Sequence, residues 1–183
     1  SMTKTIMETI IKPTLLGMKA EGRPYKGVLY AGLMIENHKP KLLEYNVRFG
    51  DPECQVLMMR LMSDLLPALI ASEDGVLKDF DLRWYDDTAL TVVMASNGYP
   101  GSYQKGSIIK GIENFQDNKD ITLFHAGTKF NEKNEICSSG GRVLAITALG
   151  KNVLEAQVKA YEGIDSIEWP DGFCRRDIGW RAL

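Results

Sequence analysis

Hydrophobic and polar residues alternate along this chain in patterns that predict an α+β protein. Apolar residues recur at helical spacing over residues 3–21. Pro13 must either kink that helix or lie in the first turn of a restarted one, because proline lacks the N–H and clashes with the preceding turn. Residues 26–37 and 41–47 are rich in aliphatic and aromatic side chains and are joined by a short polar segment. This pattern predicts a β-hairpin.

A helix is expected directly after the hairpin. Asp51 can cap it, Pro52 can occupy its first position, and Glu53 favours the positive end of the helix dipole. The free N–H groups of such a first turn can bind an anion. Apolar residues then recur at helical spacing to about Ser72, with a break expected at Pro67.

The composition of the chain changes after residue 72, which indicates a boundary. We expect residues 3–72 to form the end of one domain, residues 73–87 to form an acidic linker, and residues 88–183 to form a second, mainly antiparallel domain. Strands rich in β-branched residues are predicted in this domain at 88–96, 121–128 and 142–150. One amphipathic helix is predicted at 152–164.

Composition and charge exclude several classes of protein. With 44% hydrophobic and 25% charged residues the chain fits a globular protein, and a net charge of −2 offers no basic surface for nucleic acid. Apolar runs are far shorter than the roughly 20 residues of a membrane helix, so no membrane partner is expected and a cytoplasmic location is predicted. The three cysteines show no C-x-x-C spacing, and the two histidines, His38 and His125, lie far apart, which disfavours a zinc site.

Three polar side chains alternate on the second predicted strand. Successive side chains of a strand point to opposite faces, so Glu44, Asn46 and Arg48 are expected on one face at intervals of roughly 7 Å. Carboxylate and amide oxygens suit a hard cation such as Mg²⁺ held together with nucleotide phosphates, and a guanidinium suits carboxylate or phosphate. Spacing alone leaves a solvated strand face open as the alternative.

The run from Glu44 to Gln55, EYNVRFGDPECQ, resembles the E-[FY]-N-x-R-[FL]-G-D-P-E-x-Q signature of the phosphoribosylamine-glycine ligases (glycinamide ribonucleotide synthetases). The similarity covers essentially the whole chain after its first two residues. Further segments that resemble the family, in the family's order, are residues 13–15, 30–35, 98–101, 125–129, 140–144 and 176–182.

This resemblance implies the C-terminal part of an ATP-grasp domain, an antiparallel sheet with helices, followed by a small C-terminal domain. It also implies that Glu44 and Asn46 ligate a Mg²⁺ (or Mn²⁺) ion that bridges to ATP, the co-substrate. Arg48 and Asp51 match positions at the reacting centre, where they would orient the acyl phosphate and the amine or glycine. Their assignment as catalytic residues rests on this resemblance.

Two cations of the second predicted domain, Lys129 and Arg142, are candidates for binding the ribose phosphate of the substrate. The alternative is that they are exposed cations beside turn glycines. The family's reaction joins glycine to phosphoribosylamine in purine synthesis. Because the family's nucleotide-gripping N-terminal part lies upstream of this hairpin, we expect this chain to be inactive without it. The rival interpretations are another ATP-grasp ligase and a non-catalytic binding module.

Overall fold

The computed structural model describes all residues, 1–183, and is an α+β protein as predicted. It divides into two compact units whose segments interleave along the chain. The first unit contains Ser1–Gly50 and Ser63–Leu82, and the second contains Asp51–Met62 and Arg83–Leu183. The segment after the hairpin therefore belongs to the second unit, whereas the predicted domain division of 3–72, 73–87 and 88–183 remains a proposal.

The first helix bulges directly before its proline. It begins as α1 (Met2–Ile6), widens into a π-helical segment (Met7–Ile11) and continues as α2 (Lys12–Ala20). Pro13 is the second residue of α2, and Ile11 and Lys12 before it keep right-handed helical angles. The helix therefore continues through Pro13 rather than restarting, and the π-helical segment before it accommodates the proline.

The predicted hairpin is confirmed. Strand β1 (Tyr30–Glu36) pairs antiparallel with β2 (Lys39–Asn46). The two turn residues, Asn37 and His38, both have positive φ angles, of 49° and 60°. Two-residue hairpin turns of type I′ need such angles at both central positions, and asparagine and histidine adopt them more readily than most residues.

The predicted helix over residues 51–72 is two helices, and the break lies before Pro67 rather than at it. Helix α3 (Glu53–Arg60) ends where Leu61 adopts an extended conformation, and α4 (Leu65–Asp74) begins after Asp64. The carboxylate of Asp64 accepts the N–H of the second residue of α4 and so caps that helix. Pro67 falls in the first turn of α4, where proline is tolerated, and this is why it causes no break.

The second unit is a four-stranded antiparallel sheet with a separate hairpin, which agrees with the mainly antiparallel prediction. The sheet order is β4-β7-β3-β8, and β5 pairs with β6. Its elements are β3 (Thr88–Ser96), β4 (Ile121–His125), β5 (Thr128–Phe130), β6 (Ile136–Ser138), β7 (Arg142–Gly150), α5 (Val153–Asp165) and β8 (Gly172–Phe173). Short 3₁₀ turns occupy Leu77–Asp79 in the first unit and Ile112–Phe115 and Trp180–Ala182 in the second.

The core of the second unit lies between its sheet and α5. Val92, Leu144 and Ile146 are at most 1% exposed and belong to one cluster with the small residues of α5. Helix α5 packs closely at Gly163, where a Cβ atom would lie 3.0 Å from Cγ2 of Ile146, tighter than an ordinary carbon contact. Residues of β3 and β7 that alternate with this cluster face the opposite way, and α3 contacts the same two strands. The sheet therefore positions α3 and the residues around it.

The first unit buries few side chains. No residue of α1 or α2 is buried, and Leu16, Leu43 and Val47 are 67%, 65% and 72% exposed. The helix contacts the hairpin through a hydrogen bond of 2.5 Å between the hydroxyls of Thr14 and Tyr45. None of the helices in the structure combines the length and apolar character that a membrane span needs.

Candidate functional site

The C-terminal end of β2 brings Glu44 and Asn46 together. Both lie on β2, two residues apart, and the Nδ2 of Asn46 donates a hydrogen bond of 3.1 Å to Oε1 of Glu44. Alternation of side chains therefore places them on one face, as expected from the sequence. Glu44 is exposed, so its carboxylate is available to a ligand.

A glycine makes room for this pair on the neighbouring strand. Gly32 lies directly opposite Glu44, and the pairing of the strands shifts immediately after it. A Cβ atom at Gly32 would lie 3.1 Å from Cγ of Glu44, which is tighter than ordinary carbon contacts. The absence of a side chain at Gly32 thus allows the Glu44 side chain to lie across the hairpin.

Arg48 does not continue the alternating face. Strand β2 ends at Asn46, and Arg48 lies in the bend that follows, where its Nη1 donates to the carbonyl oxygen of Phe49 at 2.8 Å. The expectation of three polar side chains on one strand face is wrong for this third residue, because the strand is shorter than the apolar pattern predicts. The Arg48 side chain is exposed, and its remaining donors can bind an anion.

Asp51 is an ion-pair partner rather than a helix cap. The residue at the N-terminal end of α3 is Pro52, with no side-chain cap, so the capping prediction is wrong. Instead, Nη2 of Arg142 donates to Oδ2 of Asp51 at 2.9 Å, and Nη1 reaches the Asp51 carbonyl oxygen at 3.4 Å. Two of the predicted site residues, 91 positions apart in sequence, are therefore brought together in the second unit.

The ion pair borders a cavity of about 400 Å³ between α3 and the sheet. Besides Asp51 and Arg142, its wall contains Gln55 of α3, Tyr99 and the Ala126–Gly127 backbone. In the sequence Gln55 is the last residue of the family signature, but its position on a predicted helix assigns it no role beyond that of a surface glutamine. In the structure its Oε1 is buried and has no hydrogen-bond partner.

Glycines shape the rim of this cavity. A Cβ at Gly127 would lie 2.6 Å from the Arg142 carbonyl oxygen, and one at Gly141 would lie 2.3 Å from Cδ2 of Tyr99. Only hydrogen fits at these two positions. The glycines of the two segments that carry the predicted substrate cations therefore serve close packing of the backbone, and this packing fixes the position of Arg142.

Lys129 is separated from Arg142. It lies on β5, is exposed, and borders a different cavity of about 310 Å³ with His125 and Phe130. Nδ1 of His125 is 3.0 Å from the hydroxyl of Thr128. The structure therefore does not bring the two predicted phosphate-binding cations into one cavity.

A further cavity, of about 520 Å³, is bordered by a partly exposed ion-pair network. Lys159 donates to Asp120 at 2.8 Å and contacts Glu155 at 3.0 Å. Its hydrogen bonds to Asp120 and then to Glu155 raise the pKa of Lys159, and the bond from Lys159 lowers the pKa of Glu155. Because its ammonium group is already shared between two carboxylates, this network is best explained as structural.

The predicted metal ligands fit a divalent cation in their chemistry. Glu44 supplies carboxylate oxygens, and the Asn46 amide supplies an oxygen after a half-turn about its terminal torsion. No group of three or more His, Cys, Asp or Glu side chains in the structure is arranged to hold a metal ion. A cation at this pair therefore needs additional oxygens, such as those of nucleotide phosphates.

Comparison with known protein families gives two matches in chain order. The model described as "Phosphoribosylglycinamide synthetase, ATP-grasp (A) domain" matches residues 1–54. The model described as "Phosphoribosylglycinamide synthetase, C domain" matches residues 89–181. The first match contains β2 with its polar pair, and the second contains Arg142.

Curated relatives agree with these matches over the whole chain. The phosphoribosylamine–glycine ligase of Mesorhizobium japonicum is 55% identical over 182 residues, which is 100% of this chain and 42% of that protein. The chloroplastic ligase of Arabidopsis thaliana is 55% identical and aligns with 97% of this chain and 34% of its own length. The chain thus spans less than half the length of these relatives.

Solved structures show the same relationship. The phosphoribosylamine–glycine ligase of Thermotoga maritima superposes with a TM-score of 0.80 at 33% identity, covering 96% of this chain and 42% of that chain. A pyruvate carboxylase of Rhizobium etli reaches a TM-score of 0.60 at 18% identity over 85% of this chain and 16% of its own, a likeness of fold alone. Matches in both segments, close relatives along the full chain and a shared fold agree: this chain belongs to the phosphoribosylglycinamide synthetase family.

Proposed function

We propose that this chain is part of an ATP-dependent ligase that joins glycine to 5-phosphoribosylamine, giving glycinamide ribonucleotide, ADP and phosphate in purine synthesis. The names of its relatives support the reaction. The observation that carries the proposal is the Glu44–Asn46 pair, whose side chains meet at 3.1 Å on a strand inside the ATP-grasp match. The domain division of 3–72, 73–87 and 88–183 is part of the same proposal.

Glu44 and Asn46 are proposed to hold Mg²⁺ or Mn²⁺ together with oxygens of the ATP phosphates. Such an ion would supply positive charge that neutralises the transferring phosphoryl group. Glu44 contributes the negative charge of the site, and Asn46 contributes a neutral oxygen. Without the ion, the hydrogen bond from Asn46 holds the carboxylate beside the amide. Ligation by the Asn46 oxygen would replace this bond with one to the ion.

In the proposed reaction, the glycine carboxylate attacks the γ-phosphorus of ATP, which releases ADP and forms an acyl phosphate. The amine of phosphoribosylamine then attacks the carbonyl carbon, the C–O bond to phosphate breaks, and the nitrogen loses a proton as the amide forms. Arg48, with free guanidinium donors, is proposed to orient the acyl phosphate. Asp51, held by Arg142, is proposed to orient the amine.

Arg142 is the better supported of the two proposed substrate cations. It borders the cavity beside Asp51 and keeps donors beyond those used in the ion pair. Lys129 lies on a separate cavity, so its proposed contact with the ribose phosphate has weaker support. Arg142 can bind a phosphate group without Lys129, so the separation of the two cations does not affect the role proposed for Arg142.

A substitution in the full-length parent enzyme tests the metal assignment. Glu44→Gln should lower turnover at least about tenfold, since even the groups that support metal ligands are worth about 10–100-fold. Glu36→Gln is the matched control, because Glu36 is also an exposed glutamate of the hairpin but pairs with Lys41. Wild-type turnover of Glu44→Gln at limiting magnesium, with the control equally active, would contradict the assignment.

The 183-residue chain by itself is expected to show no ATP-dependent ligase activity. It offers two of the side-chain ligands of the metal and no cluster that would hold the ion without further oxygens. Product analysis with ATP, glycine and phosphoribosylamine measures this directly. Turnover comparable to that of the parent enzyme would show that the chain contains a complete active site.

A further inference from the structure

The buried oxygen of Gln55 is the starting point of this inference. Oε1 of Gln55 is shielded from solvent and accepts no hydrogen bond in the folded chain. Folded proteins pair nearly all buried polar side-chain atoms, because an unpaired acceptor loses its bonds to water without replacement. An oxygen left in this state commonly marks a position where a ligand or an ordered water completes the bonding.

Gln55 borders a cavity that is partly open to solvent. Gln55 shares the wall of the 400 Å³ cavity with Asp51 and Arg142, whose ion pair lies on the same wall. The terminal torsion of a glutamine is soft, so the carboxamide can rotate to present its oxygen to the cavity that the residue lines. The guanidinium and the carboxamide oxygen are therefore available to one bound molecule.

The two groups select different parts of that molecule. Arg142 has donors for an anionic group such as a phosphate. The Gln55 oxygen is an acceptor and repels phosphate oxygens, so the group beside it must be an O–H or N–H donor. A molecule that satisfies both carries an anionic group and hydroxyl groups, as a sugar phosphate does.

We infer that Gln55 is a substrate-contacting residue of this site, and that its carboxamide oxygen accepts a hydrogen bond from a hydroxyl of a sugar phosphate whose phosphate is bound by Arg142. The inference rests on the proposed function, because Asp51 and Arg142 belong to the same site. It adds a specificity-determining contact: Gln55 distinguishes a hydroxylated phosphate ester from free phosphate.

Binding to the 183-residue chain tests the inference with two probes, ribose 5-phosphate and inorganic phosphate, each followed by ¹⁵N–¹H NMR titration. Gln55→Met removes the acceptor at nearly constant size, and Gln116→Met is the control at an exposed glutamine of the same unit. Gln55→Met should weaken ribose 5-phosphate about tenfold, the effect of one lost hydrogen bond, and leave inorganic phosphate unchanged. The control should change neither.

A stability measurement separates ligand recognition from a structural role. If Oε1 has no partner in the protein, Gln55→Met should unfold at the same temperature as the wild type or above it. A melting temperature several degrees lower would assign the oxygen a structural partner and overturn the inference. Equal weakening of both probes, no weakening of either, or no binding of ribose 5-phosphate to the wild-type chain would also overturn it.

The proposed function is judged by a separate experiment. Ligase activity in the full-length parent tests the reaction, and the KM for phosphoribosylamine in its Gln55→Met variant tests the contact. An active parent whose variant has an unchanged KM would refute the role of Gln55 and leave the function intact. A parent without ligase activity would refute the function itself.

Discussion

Replacing Gly141 by alanine should force apart two segments that pack tightly beside Arg142. The new Cβ would lie 2.3 Å from Cδ2 and 2.7 Å from Cε2 of Tyr99, and 3.1 Å from Cε1 of Tyr103. Carbon atoms pack at about 3.5–4.0 Å, so the Tyr99 ring must retreat by more than about 1 Å. The φ angle of Gly141 is not positive, so the backbone itself accepts alanine and the collision is with side chains.

The expected loss follows from two opposing effects. Inserting a methyl group into a packed region costs about 1–3 kcal/mol, whereas Gly→Ala stabilises by about 0.4–1 kcal/mol through the unfolded chain. The net loss in unfolding free energy should be about 1–2 kcal/mol. Tyr99→Ala alone should lose about 1–2 kcal/mol, because the ring is half buried and packs edge-on against Tyr103 with centroids 6.3 Å apart.

The double variant decides whether the collision is the cause. With the Tyr99 ring removed, the alanine methyl fills part of the space left behind. The double variant should therefore be about as stable as Tyr99→Ala alone. The loss of about 1–2 kcal/mol that Gly141→Ala causes in the wild type would then be absent, and this difference is the coupling free energy between the two substitutions.

Urea unfolding followed by tryptophan fluorescence is the appropriate assay. All three tryptophans, Trp84, Trp169 and Trp180, lie in the second unit, so their emission reports on the unit that contains Gly141. Trp169 is 4% exposed and will respond most to unfolding. Stability of Gly141→Ala within about 0.5 kcal/mol of the wild type, or strict additivity in the double variant, would refute the packing argument.

Three further predictions concern other parts of the chain. Lys159 lowers the pKa of Glu155 from 4.5, so the stabilisation from this carboxylate is present above pH 4.5 and is lost as the pH falls through the lowered value. Urea titrations should therefore find Lys159→Met less stable than the wild type near neutral pH. The difference in stability should shrink in acid. Burial, and then the charge of Asp51, raise the pKa of the Cys54 thiol above 9.0. At pH 8, mass spectrometry should therefore find that iodoacetamide labels Cys54 more slowly in the folded chain than in the unfolded chain. Labelling of the folded Asp51→Asn variant should be faster than that of the folded wild type. Gly32→Ala should displace Glu44 and raise the magnesium concentration that half-activates the parent enzyme, whereas unchanged activation would show that the carboxylate tolerates the extra methyl group.

Local features of the sequence were sufficient for the hairpin and for its polar pair. Side chains alternate with a period of two in any strand, so the shared face of Glu44 and Asn46 follows from their spacing alone. The turn at Asn37 and His38 is likewise local, because the residues that accept positive φ angles are few. Family resemblance was also legible in the sequence, because it depends on residue identity and order rather than on contacts.

Element ends could not be read as reliably from the pattern. The strand stops two residues before Arg48, and the helix after it divides at Leu61 rather than at Pro67. Apolar periodicity continues through both points, so the sequence showed no interruption. The breaks depend on backbone pairing, such as the bridge between Leu61 and Trp84, which lie far apart in sequence.

The second cluster of site residues depended on the tertiary structure. Asp51 was expected to cap a helix because its neighbours suit that role, yet a guanidinium 91 residues away takes its carboxylate instead. Nothing local separates Lys129 from Arg142. Gln55 ends the family signature, but only the folded structure shows that its buried oxygen has no partner. The sequence determined which residues carry charge and which face of a strand they share. Contacts between distant segments depend on how the sheet closes on α3, and that packing alone decided which charges meet and which polar atom is left unpaired.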